Sequence, residues 1–318
     1  MGSLLDYLRL FKPVRRACWS IGIYEGPDPL HMGPHPALQG RPALDRDSLG
    51  SVRAHGIADP VMMKHLGGWL MFFEIDNVDS GRGEIGLARS RDALAWRFDR
   101  IVLREPFHLS YPCVIETSEG HFLLPEGEES GNLRLYKATD FPLKWELHAE
   151  IPGLCLADAT PFRHAGRWWL LALKGFRSSD EMVIYHAAQL EGPWLPHARN
   201  PITSGNRRSA RPAGRVVSVD GHLVRFAQDY ERHYGTAVRA YVIETLTPTD
   251  YAERPAVASD TPILSATSAA WSSHGMHHID AHELESGRWI ACVDGRRNTW
   301  TWPLLDRVAA RMGSTTSK

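Results

Sequence analysis

The stretch ADPVMMKHLGGWLMFFE, which runs from Ala58 to Glu74, joins an apolar strand to a second apolar strand through a glycine turn. The pattern returns four times, as YPCVIETSEGHFLLPEG from Tyr111, ADATPFRHAGRWWLLALKG from Ala157, ARPAGRVVSVDGHLVRFAQD from Ala210 and MHHIDAHELESGRWIACVDG from Met276. Aligned on their turn glycines, successive copies lie about 46 to 66 residues apart, which fits one four-stranded blade of a β-propeller. The repeat therefore predicts an all-β fold, a five-bladed β-propeller.

Five blades of this size would use nearly all of the 318 residues. We therefore expect a single domain over residues 1–318, with blades that begin near residues 58, 111, 157, 210 and 276. The last copy is too short to supply all its own strands, and the segment 18–26, CWSIGIYEG, alternates like a strand. We expect this segment to close the ring by completing the fifth blade, which removes the exposed edges of an open sheet.

Short helical segments are predicted at both ends of the chain. Near the N-terminus, Leu4, Leu5, Leu8 and Phe11 follow a helical period, and a basic cluster comes after them. This pattern favours an amphipathic helix docked on the body, with contact to a membrane surface as the alternative. The segment 304–312, LLDRVAARM, reads as a second helix. The sequence contains no apolar run of transmembrane length, and a secretory signal is not expected.

Charge and cysteine content narrow the classes of partner. Lys plus Arg (36) nearly equals Asp plus Glu (37), so no overall field attracts nucleic acid. The four cysteines show no metal-binding or disulfide spacing. We therefore predict a cytoplasmic protein in a reducing compartment. The oligomeric state is not indicated.

Ionisable residues stand at the start of each predicted inner strand. In a propeller these starts converge at one mouth of the central channel. The positions are Asp59, Tyr111, Asp158, Arg211 and His277 or His278. Core packing does not require such residues, whereas a site for a polar, hydroxyl-rich ligand does.

The repeated phrases also carry a family resemblance. ADPVMM…GGWLMFFE, HLSYPCVIE…GHFLLPEG, LADATPF…GRWWLLA and GMHHIDAH resemble the five-bladed propeller domain found N-terminal in plant glucosamine inositolphosphorylceramide transferases and in bacterial proteins. That domain is similar to glycoside hydrolase family 43 and to the arabinanase, levansucrase and invertase group. Family 43 enzymes use a base Asp on the first blade, a modulating Asp on the second and an acid Glu on the third. Asp59 matches the base position, whereas Tyr111 and Asp158 stand at the other two.

Glycosidic chemistry needs two carboxyl groups, one that donates a proton and one that is ionised. We expect Asp59 to be the base and Glu126 or Asp158 to be the acid. Glu74 lies six residues after its turn glycine, as Glu126 does, and both are expected near the mouth of the channel.

Other residues are candidates for substrate binding. Arg211 and Asp229 lie in the fourth copy, where arginine could recognise a phosphate or a uronic acid, and a structural Arg211–carboxylate clamp is the alternative. Tyr111 and Tyr234 are candidates for stacking on sugar, and His277 and His278 for hydrogen bonding. No cofactor is expected. An axial ion near His278 is the alternative, because His278, Asp280 and His282 share one face of a strand.

Three functions remain open at this stage. The first is a glycoside hydrolase or transglycosidase that acts on an intracellular glycan or glycolipid intermediate. The second is a glycosyltransferase or phosphorylase that uses the same channel. The third is a propeller that binds carbohydrate without catalysis. The fold alone does not choose among them.

Overall fold

A computed structural model describes residues 13–175 and 180–301 of the chain. It confirms the five-bladed β-propeller: five antiparallel sheets surround one axis, and each contributes a strand to the central channel. The two terminal helical segments predicted from the sequence lie outside the described residues.

The first strands in the chain belong to the sheet that closes the ring, and blades one and two follow. The closing strands are β1 (Val14–Gly26) and β2 (Gly33–Pro34). Blade one contains β3 (Ala54–His65), β4 (Gly68–Asn77), β5 (Arg82–Ser90) and β6 (Arg97–Leu103). Blade two contains β7 (Ser110–Thr117), β8 (Gly120–Glu126), β9 (Asn132–Asp140) and β10 (Lys144–Pro152).

The remaining blades follow the same plan with more variation. Blade three contains β11 (Leu156–His164), β12 (Arg167–Lys174), β13 (Met182–Ala187) and β14 (Leu195–Pro196). Blade four contains β15 (Arg211–Pro212), β16 (Val217–Val219), β17 (His222–Asp229), β18 (Ala237–Leu246), β19 (Tyr251–Pro255) and β20 (Leu264–Ser265). Blade five contains β21 (Ile279–Glu283) and β22 (Trp289–Thr301). Short 3-10 helices lie at Pro36–Leu38, Arg46–Ser48, Glu128–Ser130, Ala258–Asp260 and Ala270–Ser272.

The fifth sheet joins the two ends of the described chain. Its strand order is β2-β1-β22-β21, and β1 pairs with β22 along its whole length, from Val14 opposite Thr301 to Gly26 opposite Trp289. The segment 18–26 therefore lies in the third strand of blade five. Apolar side chains of β1, such as Ile21 and Ile23, pack in one cluster with Met62 and Phe73 of blade one. This packing seals the junction at which the ring closes.

A bulge interrupts the inner strand at the same place in three blades. The register shifts between Ala58 and Val61, between Ser110 and Cys113, and between Ala157 and Thr160. Inside the bulges, Asp59, Tyr111 and Asp158 have positive φ angles of 52°, 45° and 49°, respectively. Non-glycine residues rarely adopt this conformation, and such strained residues and bulges cluster at functional sites. The bulges change the direction of these three side chains, and contacts with other blades hold Tyr111 and Asp158.

Asp280 ties three blades together at the ring closure. Its carboxylate accepts a hydrogen bond from Met62 N of blade one at 2.8 Å, and it lies 2.8 Å from Arg215 Nε of blade four. Burial alone would raise the pKa of Asp280, but Arg215 and His282 hold it at about 2, below the usual 3.8. The buried carboxylate is therefore ionised at neutral pH.

We expect Asp280→Asn to remove a pH-dependent part of the stability. A depressed folded-state pKa stabilises the fold above the unfolded value near 4, and this contribution, about 2 kcal/mol, is lost as the pH falls towards 2. Urea denaturation of both proteins across this range should show a gap that narrows as the pH falls. A gap that is constant with pH would contradict the assignment.

Candidate functional site: a carboxyl-lined axial cavity

A cavity of about 1470 Å³ opens at the mouth of the channel where the inner strands begin. It exceeds the range of about 300–1,000 Å³ that is typical of small-molecule pockets. Its lining includes six of the residues singled out from the sequence, which are Asp59, Glu74, Glu126, Arg211, Tyr234 and His277. The cavity can therefore hold a ligand of several sugar rings.

Asp59 lies on one side of the cavity floor, backed by an ion pair of blade five. Its carboxylate accepts a hydrogen bond from Tyr111 N at 3.3 Å, and its own backbone N–H donates to Asp294 at 3.2 Å. His277 Nδ1 lies 2.7 Å from an Asp294 oxygen and 3.9 Å from an Asp59 oxygen. The Asp294 carboxylate also accepts both backbone N–H groups of His277 and His278. Asp294 thus fixes the imidazole beside Asp59.

Glu126 lies at the end of β8 and is backed by a second ion pair. Its carboxylate accepts a hydrogen bond from Asp158 N at 3.1 Å. Asp158 in turn accepts hydrogen bonds from both the Nε and the Nη2 of Arg211, and from Gln228 Nε2 at 2.7 Å. The Arg211 guanidinium also lies 3.8 Å from Glu126. Each of the two cavity carboxyls therefore stands in front of a buried carboxylate–cation pair.

This arrangement separates the buried carboxyls into two protonation classes. Burial raises the pKa of Asp59 well above its usual range, and the charges of Glu74 and Asp294 add to this effect while His277 opposes it. Burial and then the Asp158 charge raise the pKa of Glu126 in the same way, against the influence of Arg211. Burial would also raise the pKa of Asp158 and of Asp294, but Arg211 and His277, respectively, hold these values below the usual range. Of these four buried carboxyls, the two that contact the cavity, Asp59 and Glu126, are therefore the ones whose protonated form is favoured.

Aromatic rings form the cavity wall on the side of blades four and five. The Trp19 ring stacks on His277 at 4.0 Å, and Tyr234 meets the same imidazole edge-on at 5.0 Å. Gly235, with φ of 69°, makes room for Trp19, because a Cβ at this position would lie 2.3 Å from the indole. Arg211 lies over the Tyr234 ring at 5.2 Å. Rings beside carboxyl groups suit a sugar, which offers apolar faces and hydroxyl groups.

The wall on the side of blades one and two is acidic. Its carboxyl residues are Glu74, Asp76, Glu126, Glu128 and Glu129. Glu74 pairs with His108 at 3.2 Å. Burial would lower the pKa of His108, but the hydrogen bond and charge of Glu74 raise it above its ordinary value. Two arginines of the lining, Arg207 and Arg211, lie within 4.0 Å of Asp180 and Asp158, respectively. The charges of Arg207 and Arg211 are therefore compensated, and these two side chains offer little to an anion.

Four of the sequence-predicted site residues lie behind the lining, within the part of the chain that the structure describes. They are Tyr111, Asp158, Asp229 and His278. The Tyr111 hydroxyl accepts from Gly214 N at 2.7 Å and pairs with Thr160 Oγ1 at 2.8 Å. Asp229 pairs with Arg239 Nε at 2.9 Å. This placement differs from the expected direct contact with a ligand, because Tyr111 and Asp158 bond to residues of blade four, and Asp229 pairs with Arg239 within its own blade.

Sequence reasoning missed Asp294 and Trp19. Asp294 lies within β22 in VDG, seven residues after its turn glycine, close to the place that Glu74 and Glu126 hold six residues after theirs, so comparison of the five copies could have found it. Trp19 lies in the segment that was expected to close the ring, but no pattern indicates that its ring turns towards the channel. The Arg211–Asp158 contact is a structural clamp of the kind that the sequence allows for Arg211.

Possible metal ligands also converge at this site. Over residues 13–175 and 180–301, one group of three meets the geometric requirement, with Asp59, His277 and Asp294 atoms within 4.8 Å of one another. The axial ion suggested near His278 stays a prediction. Burial lowers the pKa of His278, whose ring meets Tyr111 edge-on at 5.1 Å.

The fold and the cavity define a five-bladed propeller with a carboxyl-lined axial site. The family model described as glucosamine inositolphosphorylceramide transferase 1, N-terminal, matches residues 42–296, and the chain belongs to this family. It is 35% identical over 305 residues to glucosamine inositolphosphorylceramide transferase 1 from Oryza sativa subsp. japonica, covering 90% of this chain. The chain spans 41% of the length of that relative.

Solved structures show the same fold. An α-L-arabinanase from Cellvibrio cellulosa, complexed with arabinohexaose, is similar with a TM-score of 0.52 and 17% identity, over 76% of this chain and 94% of that one. A thermostable family-43 glycoside hydrolase is similar with a TM-score of 0.50 and 15% identity, over 64% and 75% of the two chains. Within the described residues, no helix is long and apolar enough to cross a membrane.

Proposed function

We propose that this protein binds a glycan or glycoconjugate in the axial cavity and breaks or transfers a glycosidic bond there. Glu126 donates its proton to the leaving oxygen as the bond to the anomeric carbon breaks. Asp59 takes a proton from the attacking hydroxyl, which belongs to water or to an acceptor. The name of the plant relative favours a glycoconjugate over a free sugar.

One observation carries this proposal. Two buried carboxyls with raised pKa values contact the same cavity, and each stands in front of its own ion pair. Perturbed carboxyls that converge in a large cavity are typical of acid–base sites. Asp59 keeps the base role because the His277–Asp294 pair lies beside it and can stabilise the ionised form. Glu126 keeps the acid role because Asp158 repels a second negative charge.

Two alternatives from the sequence are less favoured, namely Asp158 as the general acid and a phosphorylase reaction. Asp158 is less suited to the acid role than Glu126, since Arg211 keeps it ionised and it lies behind the lining. A phosphorylase would need cations for inorganic phosphate, whereas Arg211 already binds Asp158 and the nearby wall is acidic. We therefore expect turnover that does not depend on added phosphate.

We expect Asp59→Asn to abolish turnover and preserve binding. General base removal costs about 10²–10⁴-fold in rate, and Asn keeps the size of Asp59 but cannot take a proton. Sugar release from a panel of glycosides and transfer to acceptors would be measured with and without phosphate. Ligand-induced shifts in melting temperature would report binding in the same samples.

Asp76→Asn is the matched control, because it removes a carboxylate from the same cavity without touching the ion pairs described above. Its turnover should stay within about fivefold of the starting protein. Unchanged turnover in Asp59→Asn would remove Asp59 from the mechanism. Glycan binding with no turnover under any condition would instead favour a binding propeller.

A further inference from the structure

The two ends of the described chain pair in a two-stranded ribbon at the mouth of the cavity. β1 and β22 pair from Val14 opposite Thr301 onwards, whereas β21 pairs with β22 only between residues 289 and 293. Among the described strands, the outermost part of the pair therefore has no further neighbour. We call residues 14–18 and 297–301 the terminal ribbon. Arg16 and Ala17 of this ribbon line the cavity, so the ribbon stands at its rim.

The tip of the terminal ribbon is apolar on both faces. Trp300 is 69% exposed and Val14 is 39% exposed. Trp300 lies opposite Arg15, and Val14 lies opposite Thr301, so the two apolar side chains belong to adjacent register positions and point to opposite faces. A soluble ligand would cover only one face of the ribbon. A tip with apolar side chains on both faces is better suited to insertion into an apolar medium that surrounds it.

Three arginines lie on the terminal ribbon, level with the tip or below it. Arg15 and Arg297 are exposed and Arg16 is half-buried. Within the described residues, none of the three has a carboxylate partner, whereas exposed arginines elsewhere, such as Arg89 and Arg254, pair with Asp99 and Glu244. The ribbon therefore concentrates positive charge that no described carboxylate balances, on a chain whose formal net charge is −1.

We propose that the terminal ribbon docks this protein on an anionic lipid surface, with Trp300 and Val14 at the acyl boundary and the arginines among the headgroups. Tryptophan favours this boundary, since its ring is apolar and its N–H polar. Each arginine near an anionic surface strengthens binding by about fivefold. Docking would hold the cavity mouth beside lipid-linked glycans. The docking itself does not depend on the proposed catalysis.

Sedimentation with vesicles tests this inference. The full chain should bind vesicles of phosphatidylcholine plus phosphatidylglycerol, bind pure phosphatidylcholine weakly, and lose binding as salt rises. Trp300→Ala should lower the partition coefficient at least about fivefold. The double variant Arg15→Glu with Arg297→Glu should lower it at least about 25-fold. All three side chains are exposed, so the melting temperature should not change.

Matched controls lie on blade one, at the end of its strands that is away from the cavity mouth. Leu66 is 93% exposed at the turn between β3 and β4, and Arg91 is exposed just after β5. Leu66→Ala and Arg91→Glu should leave the partition coefficient unchanged. No vesicle binding, equal binding to both vesicle types, or equal loss in the controls would each overturn the inference. Release by soluble glycerophosphate would also overturn it, in favour of a site for a free phosphate group.

Discussion

Glu126→Gln should lower turnover of an unactivated glycan by about 10²–10⁴-fold and leave the fold intact. Glutamine can still accept the hydrogen bond from Asp158 N, and it reproduces the size of the protonated carboxyl. It cannot donate a proton to a leaving oxygen as an acid does. Because the raised pKa of Glu126 makes its ionised form costly in the folded state, glutamine should not lower the melting temperature.

Substrates with different leaving groups distinguish the role of the general acid from that of the general base. The dinitrophenolate of a dinitrophenyl glycoside leaves without protonation. The variant Glu126→Gln should therefore keep most of the starting rate on this substrate, whereas Asp59→Asn should not. Glu129→Gln, a second substitution of a cavity carboxyl, should leave both substrates near the starting rate. An equal loss on activated and unactivated substrates would contradict the acid role of Glu126.

The pH profile gives an independent check on Glu126. A general acid must be protonated, so the rate falls as the pH rises through its pKa. Because burial and Asp158 raise the pKa of Glu126, this alkaline limb should lie above the usual range of a carboxyl group. In Glu126→Gln the alkaline limb should disappear from the residual rate on the unactivated glycan. An alkaline limb that persists in the variant would assign it to another group.

The sequence predicts which residues surround the channel but not the charge that each one holds. Asp59 and Asp158 occupy the same register in Ala-Asp dipeptides, and both lie in bulges with positive φ. Their pKa values nevertheless shift in opposite directions. Arg211 of the next blade pairs with Asp158, whereas His277 lies closer to Asp294 than to Asp59. Such partners lie far apart in the sequence, so a pattern within one copy cannot indicate them.

The extent of the strands was also only partly predictable. Alternation over 18–26 indicates the core of β1, where one face is buried. It gives no signal for residues 14–17 or for the matching part of β22, since a ribbon exposed on both faces has no apolar alternation to detect. The bulges are equally hidden, because a positive φ at Asp or Tyr depends on contacts between blades.

Arg211→Ala should be the most destabilising single substitution at the site, costing about 3–5 kcal/mol. Arg211 is 6% exposed and donates two hydrogen bonds to Asp158, which is itself 1% exposed. Its removal leaves a buried carboxylate that keeps a hydrogen bond from Gln228 but has lost its cation. For a protein of this size, the melting temperature measured by calorimetry should fall by roughly 5 to 10 °C.

The pH dependence of that loss identifies its cause. In the starting protein Arg211 depresses the pKa of Asp158, so this stability is present above the unfolded value near 4 and is lost only at lower pH. Without Arg211, burial raises the pKa of Asp158 instead, and stability then falls as the pH rises. The difference in melting temperature should therefore be larger at neutral pH than at about pH 4.5. Asp158→Asn added to Arg211→Ala should restore most of the loss at neutral pH, because the uncompensated charge is gone. A loss that the second substitution does not reduce would mean that Arg211 acts through packing on Tyr234, not through its charge.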